Sequence, residues 1–370
     1  MRTRRGVAEA LLLFGSLLFV LLLGAIAEIA VRVFSSVDLL GNSKNLFVAN
    51  AYGTSNGNAP DVEAISFGEP VYTDEHGFRV PKGGVGADAG KREAILILGD
   101  SVGFGPAVEE RETFAGLLRE RFPAERIYNS SVIGYSTPDY RNVVEAFVPG
   151  HPEVRAVVLV YCLNDISGVS AQNIDRYLKG SDPRAPQRNL TETLRSFALL
   201  SDANDFLRSR SKLYLFVRHR LLGTQTRDWR AVLELYAADR IADVERAVGD
   251  IAAIAAYLKA RGVPLVVVLA PFEYQLRSPA DPQAQIPQQR LGGLLAKAGV
   301  PYVDPRPRFD PDQPSTDYFL AYDPMHFSAS GHRVIADAIA EALAGVIPRA
   351  MRNGEIDATP ERLPPEESPR

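Results

Sequence analysis

A serine hydroxyl is a poor nucleophile at neutral pH. It needs a base, a group that orients the base, and donors for the oxyanion that its attack creates. The chain holds residues that could supply all three. Ser101 stands in Leu98-Gly99-Asp100-Ser101-Val102-Gly103, at the end of an apolar run, where a strand-to-helix turn would expose its hydroxyl and its N–H. Far downstream, Asp323-Pro324-Met325-His326 puts a carboxylate three residues before an imidazole. That spacing lets Asp323 fold back within one turn and hold one ring nitrogen while the other faces Ser101. Gly134, in Ile133-Gly134-Tyr135, and Asn164, in Leu163-Asn164-Asp165, would add a backbone N–H and a side-chain amide to the Ser101 N–H as oxyanion donors. The chemistry implied is acyl transfer through a covalent serine. Taken singly, each residue has a plainer reading: a turn serine, a positive-φ glycine, a strand-end cap, a solvated Asp–His pair.

The elements that must gather these residues are legible as apolar runs: 94–98 (AILIL), 126–133 (RIYNSSVI), 156–163 (AVVLVYCL), 263–270 (VPLVVVLA) and 301–304 (PYVD). The first, third and fourth are hydrophobic without alternation, as parallel strands covered on both faces should be. Helical spacing lies between them, most clearly where Ile241, Val244, Val248, Ile251 and Ile254 recur every three or four residues. Repeated strand–helix alternation predicts an open parallel α/β sheet. Ligands bind beyond the carboxyl ends of such strands, where Ser101, Gly134 and Asn164 fall.

Composition narrows the alternatives. With 41 Lys+Arg against 45 Asp+Glu, the net charge of −4 gives no overall positive field for a nucleic acid. One cysteine excludes an intramolecular disulfide and a thiolate metal cluster. No cofactor is expected. Among the other histidines, His332 falls in a helical stretch and reads as a capping or surface residue; His76 and His151 sit in turn signals without a metal-ligand partner nearby in sequence. Asp100 and Asp165 read as acceptors that shape their turns, and Cys162 as a small buried hydrophobe.

The chain divides into four parts. Residues 1–34 hold an apolar run from Ala10 to Ala27, spanning about 27 Å as a helix and preceded by Arg2, Arg4 and Arg5. This is a single-pass anchor with its N-terminus inside and the rest of the chain exported. The rival is a signal peptide cleaved after Ala25-Ile26-Ala27; the continuation AIAEIAVRVF favours retention. Residues 35–92, rich in Gly, Asn and Ser, read as a spacer that lifts the domain off the membrane, with one ordered patch around VYTDEHGFRV. Residues 93–347 form the α/β domain, with a helical insert at about 166–232. Residues 348–370, rich in Pro and Glu, read as a disordered tail.

GDSVGFG, Gly134 in VIGYS, Asn164 in CLND and DPMHFSASGH together resemble the four blocks of the SGNH (GDSL-type) hydrolase family. The resemblance covers roughly residues 93–345. It implies a flavodoxin-like three-layer α/β/α sandwich with a parallel five-stranded sheet. It further implies Ser101 as nucleophile, His326 as base, Asp323 as its orienter, and Ser101, Gly134 and Asn164 as the oxyanion hole. GDSVG also fits the nucleophile elbow of α/β-hydrolases, but there the serine follows several strands and the acid comes from a separate loop. The anchor and TDEHGFR look like a membrane-tethered bacterial subgroup of esterases and O-acetyltransferases that act on cell-surface glycans. The expected activity is therefore that of an extracytoplasmic serine esterase at the bacterial inner membrane. Its expected substrate is an acyl ester, carbohydrate-linked, with O-acetyl groups of an envelope or exported polysaccharide foremost. The alternatives are an O-acetyltransferase using the same triad, and a catalytically silent glycan-binding or scaffold protein. A polysaccharide-modification partner in the envelope is compatible with each.

Overall fold

The computed structural model describes residues 2–346 except 36, 38, 55, 85–92, 167–205, 223–228, 230, 231 and 322. The expected tail, 348–370, and most of the expected insert lie outside the described residues. The chain opens with helix α1 (Arg2–Phe34) and a hairpin of β1 (Phe47–Ala49) and β2 (Asn56–Asn58). Strands β3 (Glu63–Ser66), β4 (Glu69–Thr73) and β5 (Arg79–Val80) follow. The α/β part then runs β6 (Glu93–Gly99), α2 (Ser101–Phe104), α3 (Phe114–Arg121), β7 (Glu125–Asn129), α4 (Thr137–Phe147) and β8 (Val154–Cys162). It continues through α5 (Lys212–Leu222), α6 (Ile241–Lys259), β9 (Leu265–Ala270), α7 (Glu273–Arg277), α8 (Pro282–Lys297), β10 (Tyr302–Val303) and α9 (Ala329–Val346).

The main sheet has the order β10-β9-β8-β6-β7-β5-β4-β3. Its first five members pair in parallel. Counted in chain order, these five lie 2-1-3-4-5, a doubly wound order whose switch point falls between β6 and β8. Right-handed crossovers then put α3 and α9 on one face, where they touch each other, and α4, α6 and α8 on the other. Both faces of β6, β8 and β9 are thereby covered: Ala94–Leu98, Ala156–Leu163 and Leu265–Ala270 are essentially inaccessible to solvent. Each such aliphatic side chain contributes about 1.5–3 kcal/mol of burial. Helix α6 seals its face with Val244, Val248, Ile251 and Ile254, four of the five periodic positions read from sequence, and with Leu258; the fifth, Ile241, is partly buried.

The expectation of a spacer over 35–92 is corrected, save for its ordered patch around VYTDEHGFRV, which holds the end of β4 and β5. β3, β4 and β5 add antiparallel to the sheet beyond β7, making it eight-stranded and mixed. The chain joins the domain almost at once after α1, because Val37 forms a parallel bridge with Ala321. Polar side chains that look like loop composition do the holding. Asn58 Nδ2 donates to the carbonyls of Gly77 and Ser131, and Asp74 Oδ1 accepts from the N–H groups of His76 and Phe78. Arg79 is fully buried; its guanidinium donates to the carbonyls of Phe104, Gly105 and Val108, directly behind the Ser101 turn.

Candidate active site

The Ser101 turn is shaped by its neighbours. Asp100 caps α2, its Oδ1 accepting from the Val102 N–H at 2.8 Å. A side chain on Gly103 would run into Ser131, its Cβ lying 2.4 Å from Oγ, so glycine allows this turn to press against the end of β7. The second glycine that matters is Gly134, whose φ of 88° is left-handed backbone that an L side chain resists.

His326 comes from a loop folded on itself. Phe319 and Phe327 form an antiparallel bridge, and the Leu320 N–H donates to the His326 carbonyl at 2.9 Å. At the tip, Asp323 Oδ1 accepts from the backbone N–H groups of Met325 and His326. Its Oδ2 accepts a hydrogen bond from His326 Nδ1–H at 2.6 Å. The other nitrogen, Nε2, lies 2.8 Å from Ser101 Oγ and is placed to accept its proton. Ser101 and His326, 225 residues apart, are both buried, so this contact is shielded from water.

Burial of His326 disfavours its charged form, yet the Asp323 charge and hydrogen bond, with a smaller contribution from Asp100, hold its pKa above the ordinary value. Burial likewise opposes ionisation of Asp323, but His326 and two backbone N–H groups hold its carboxyl below the usual range. The pair therefore favours an ionised Asp323 and an imidazole that accepts a proton readily. Beneath the site, burial pushes the carboxyls of Asp100 and Asp165 up, and the charge of Asp100 pushes Asp165 further. Asp165 Oδ2 accepts from the Tyr140 hydroxyl at 2.6 Å and from the Cys162 N–H, locking the turn that carries Asn164. Burial also raises the Cys162 thiol.

The structure brings together Ser101, Asp323 and His326. It sets Gly134 and Asn164 on the turns that follow β7 and β8, at the same carboxyl edge of the sheet as the Ser101 turn. Neither the Ser101 nor the Gly134 N–H donates to another described group, and Asn164 Oδ1 is buried without a partner. Among the described residues, no group of three His, Cys, Asp or Glu side chains is placed to hold a metal ion.

Three features escaped the sequence reading. Phe67, at the β3–β4 turn, packs edge-on against the His326 ring with centroids 5.5 Å apart, and its φ of 51° is left-handed. A two-residue Phe67-Gly68 link between the alternating strand Glu63–Ser66 and Glu69–Thr73 was the available hairpin signal. His332 is neither a cap nor a surface residue: it is fully buried, its Nδ1 accepts from the Phe114 N–H, and burial with the Arg79 charge pushes its pKa down to about 3. Helical periodicity alone did not say which face of α9 turned inward. His76 and His151 meet each other, ring centroids 5.2 Å apart, within a cluster that includes Phe78, Tyr128 and Phe147. A cavity of about 300 Å³ lies beside the loop that carries His326, lined by Gln275, Asp304, Arg306, Phe309, Ser315 and Tyr318. Neither Ser101 nor His326 lines it.

With this arrangement in view, comparison places the chain. Residues 97–334, more than half of it, match the GDSL-like Lipase/Acylhydrolase family, and the chain belongs to that family. It is thus a GDSL-type hydrolase of ester bonds. Among solved structures it is similar to a lipolytic G-D-S-L family protein of Veillonella parvula (14% identity, TM-score 0.39, covering 68% of this chain and 98% of that one). It is also similar to a lipase/acylhydrolase of Enterococcus faecalis (14%, TM-score 0.38, 68% and 96%). A third is an acetylxylan esterase of Geobacillus stearothermophilus (13%, TM-score 0.37, 68% and 94%). No curated protein matches the chain.

Proposed function

We propose that the protein is a membrane-anchored, extracytoplasmic serine esterase whose triad is Ser101, His326 and Asp323. The observation that carries this reading is the continuous relay Asp323–His326–Ser101, with contacts of 2.6 and 2.8 Å. Ser101 Oγ attacks the ester carbonyl as its proton passes to His326 Nε2, and the Asp323 carboxylate stabilises the resulting imidazolium. The carbonyl oxygen, now negative, is held by the N–H groups of Ser101 and Gly134 and by the Asn164 amide; loss of one such donor typically costs about 10² to 10³ in rate. His326 then gives its proton to the leaving alcohol, and a water, deprotonated by the same imidazole, releases the acid and restores Ser101.

The substrate we assign is an O-acyl, foremost O-acetyl, group on a carbohydrate of the cell envelope. Anchoring is supported by the stretch Leu11–Phe34, which is long and apolar enough to cross a membrane and whose residues from Leu11 to Ile26 are all exposed. The three N-terminal arginines support an inside N-terminus and an exported domain. The test is incubation of the full-length protein in detergent with O-acetylated oligosaccharides and with deacetylated acceptors. Acetate release that disappears in Ser101→Ala supports the esterase. Acetyl transfer to an acceptor without free acetate replaces it by the transferase, and no turnover of either kind overturns the substrate assignment.

A further inference from the structure

α5 and the segment before it are tied to the emerging end of α1. Glu28, the first residue after the apolar run, accepts at its carboxylate from Ser211 Oγ and from the N–H groups of Lys212 and Leu213, so it caps α5. Arg32 donates to the Arg210 carbonyl, four residues and one turn further along α1. Leu40 N–H in turn donates to the Arg208 carbonyl. The start of α5 is therefore fixed where the unbroken apolar run of α1 meets its first charged residue, Glu28. Around it, Phe206 is 56% exposed, Leu207 38%, Val217 43% and Leu221 77%. Val217 and Leu221 are four apart and share one face of α5. Residues 206–221 carry Arg208, Arg210, Lys212, Arg218 and Arg220 and no Asp or Glu, in a chain whose net charge is −4.

We infer that residues 206–221 form a membrane-contact element: the exposed apolar side chains of Phe206, Leu207, Val217 and Leu221 enter the bilayer surface beside α1 while Arg210, Lys212, Arg218 and Arg220 meet anionic lipid headgroups. This rests on the membrane-anchored reading above. Continuity with α1 fixes the occupant as lipid, because a protein partner would have to share the space that the bilayer fills around the capped end. The pairing of apolar and basic side chains is that of an interfacial helix. The consequence is positional. Val37 follows Phe34 by three residues and bridges Ala321, two residues before Asp323. At about 3.5 Å per residue, the triad then lies within roughly 20–25 Å of the end of α1. The active site works close to the membrane surface, on esters that reach that layer.

The test places single nitroxides on the full-length protein in lipid nanodiscs, at Leu17→Cys, Val217→Cys, Leu221→Cys and Arg246→Cys. The native Cys162 is buried and unlabelled wild type gives the background. Collisions with oxygen and with a water-soluble nickel complex are read at each. The expected result is loss of nickel collisions with retained oxygen collisions at Leu17, Val217 and Leu221, and the reverse at Arg246 on α6. Protection at Leu221 should increase when phosphatidylglycerol is added to phosphatidylcholine, and Arg218→Glu with Arg220→Glu should abolish that increase. Leu17 in lipid with Val217 and Leu221 as nickel-accessible as Arg246 would overturn the inference and leave the anchor standing. Protection from both reagents at Leu221 would mean a protein contact and also overturn it, and equal values in all three preparations would overturn the headgroup assignment. Leu17 open to nickel would overturn anchor and inference together.

Discussion

The site is held from two sides by parts of the sheet built on different physics. On one side, β6, β8 and β9 are nearly pure aliphatic runs, and burial on both faces fixes the strand ends that carry Ser101 and Asn164. On the other, β3–β5 bring few aliphatic side chains to the core and are joined to β7 by the single pair Arg79–Asn129. Side chain–backbone hydrogen bonds from Asn58, Asp74 and Arg79 replace burial there. Yet this second side puts Phe67 on His326 and Arg79 behind the Ser101 turn. The difference teaches that a hydrophobic sheet can present the proposed reacting groups while a polar extension sets their surroundings. The two halves should then fail in different ways.

The largest effects belong to the proposed triad. Ser101→Ala and His326→Ala should each lower kcat by about 10⁴-fold or more with the fold retained, measured on a soluble aryl acetate with circular dichroism alongside. Because His326 must be neutral to take the serine proton and its pKa is held above 6.5, kcat/KM should rise with pH through a limb above that value. Asp323→Asn should shift the limb downward as well as cutting the rate.

Next comes the extension. Arg79→Ala leaves three buried carbonyls without donors and should cost about 3 kcal/mol in urea unfolding, with activity falling only as the Ser101 turn loosens. Loss of activity comparable to Ser101→Ala at unchanged stability would erase the proposed division of labour.

Within one pH unit of neutrality a smaller effect tests the buried His332, packed between Phe114 and Phe327. His332 has a folded pKa of about 3 against 6.5 unfolded, so its stabilising contribution is present above pH 6.5 and is lost as pH falls from 6.5 toward 3. Its share is about 1.4 kcal/mol per pH unit, and His332→Gln should flatten the acid side of the stability curve by that slope. Smallest is Phe67→Ala, which opens the wall beside His326. It should raise KM for small acyl esters about threefold and leave kcat and stability nearly unchanged.

How much was legible follows the same division. The parallel strands announced themselves because complete burial requires unbroken apolar runs, and their ends led directly to Ser101, Gly134 and Asn164. Asp323 and His326 were readable because the carboxylate folds back within one local turn. The extension was legible only as the ordered patch around VYTDEHGFRV, since Asn58, Asp74 and Arg79 act through contacts that only the folded chain creates. Phe67 was hidden in a two-residue turn, and the inward face of α9 that buries His332 depends on packing against Phe114 and Phe327.

The central claim is that Ser101 is the nucleophile and His326 its base. Labelling of the full-length protein with a fluorophosphonate, followed by peptide mapping, tests it most directly. The account predicts one adduct, on Ser101, formed quickly in wild type and lost in His326→Ala. An adduct on another residue, or Ser101 labelled equally fast without His326, would contradict it.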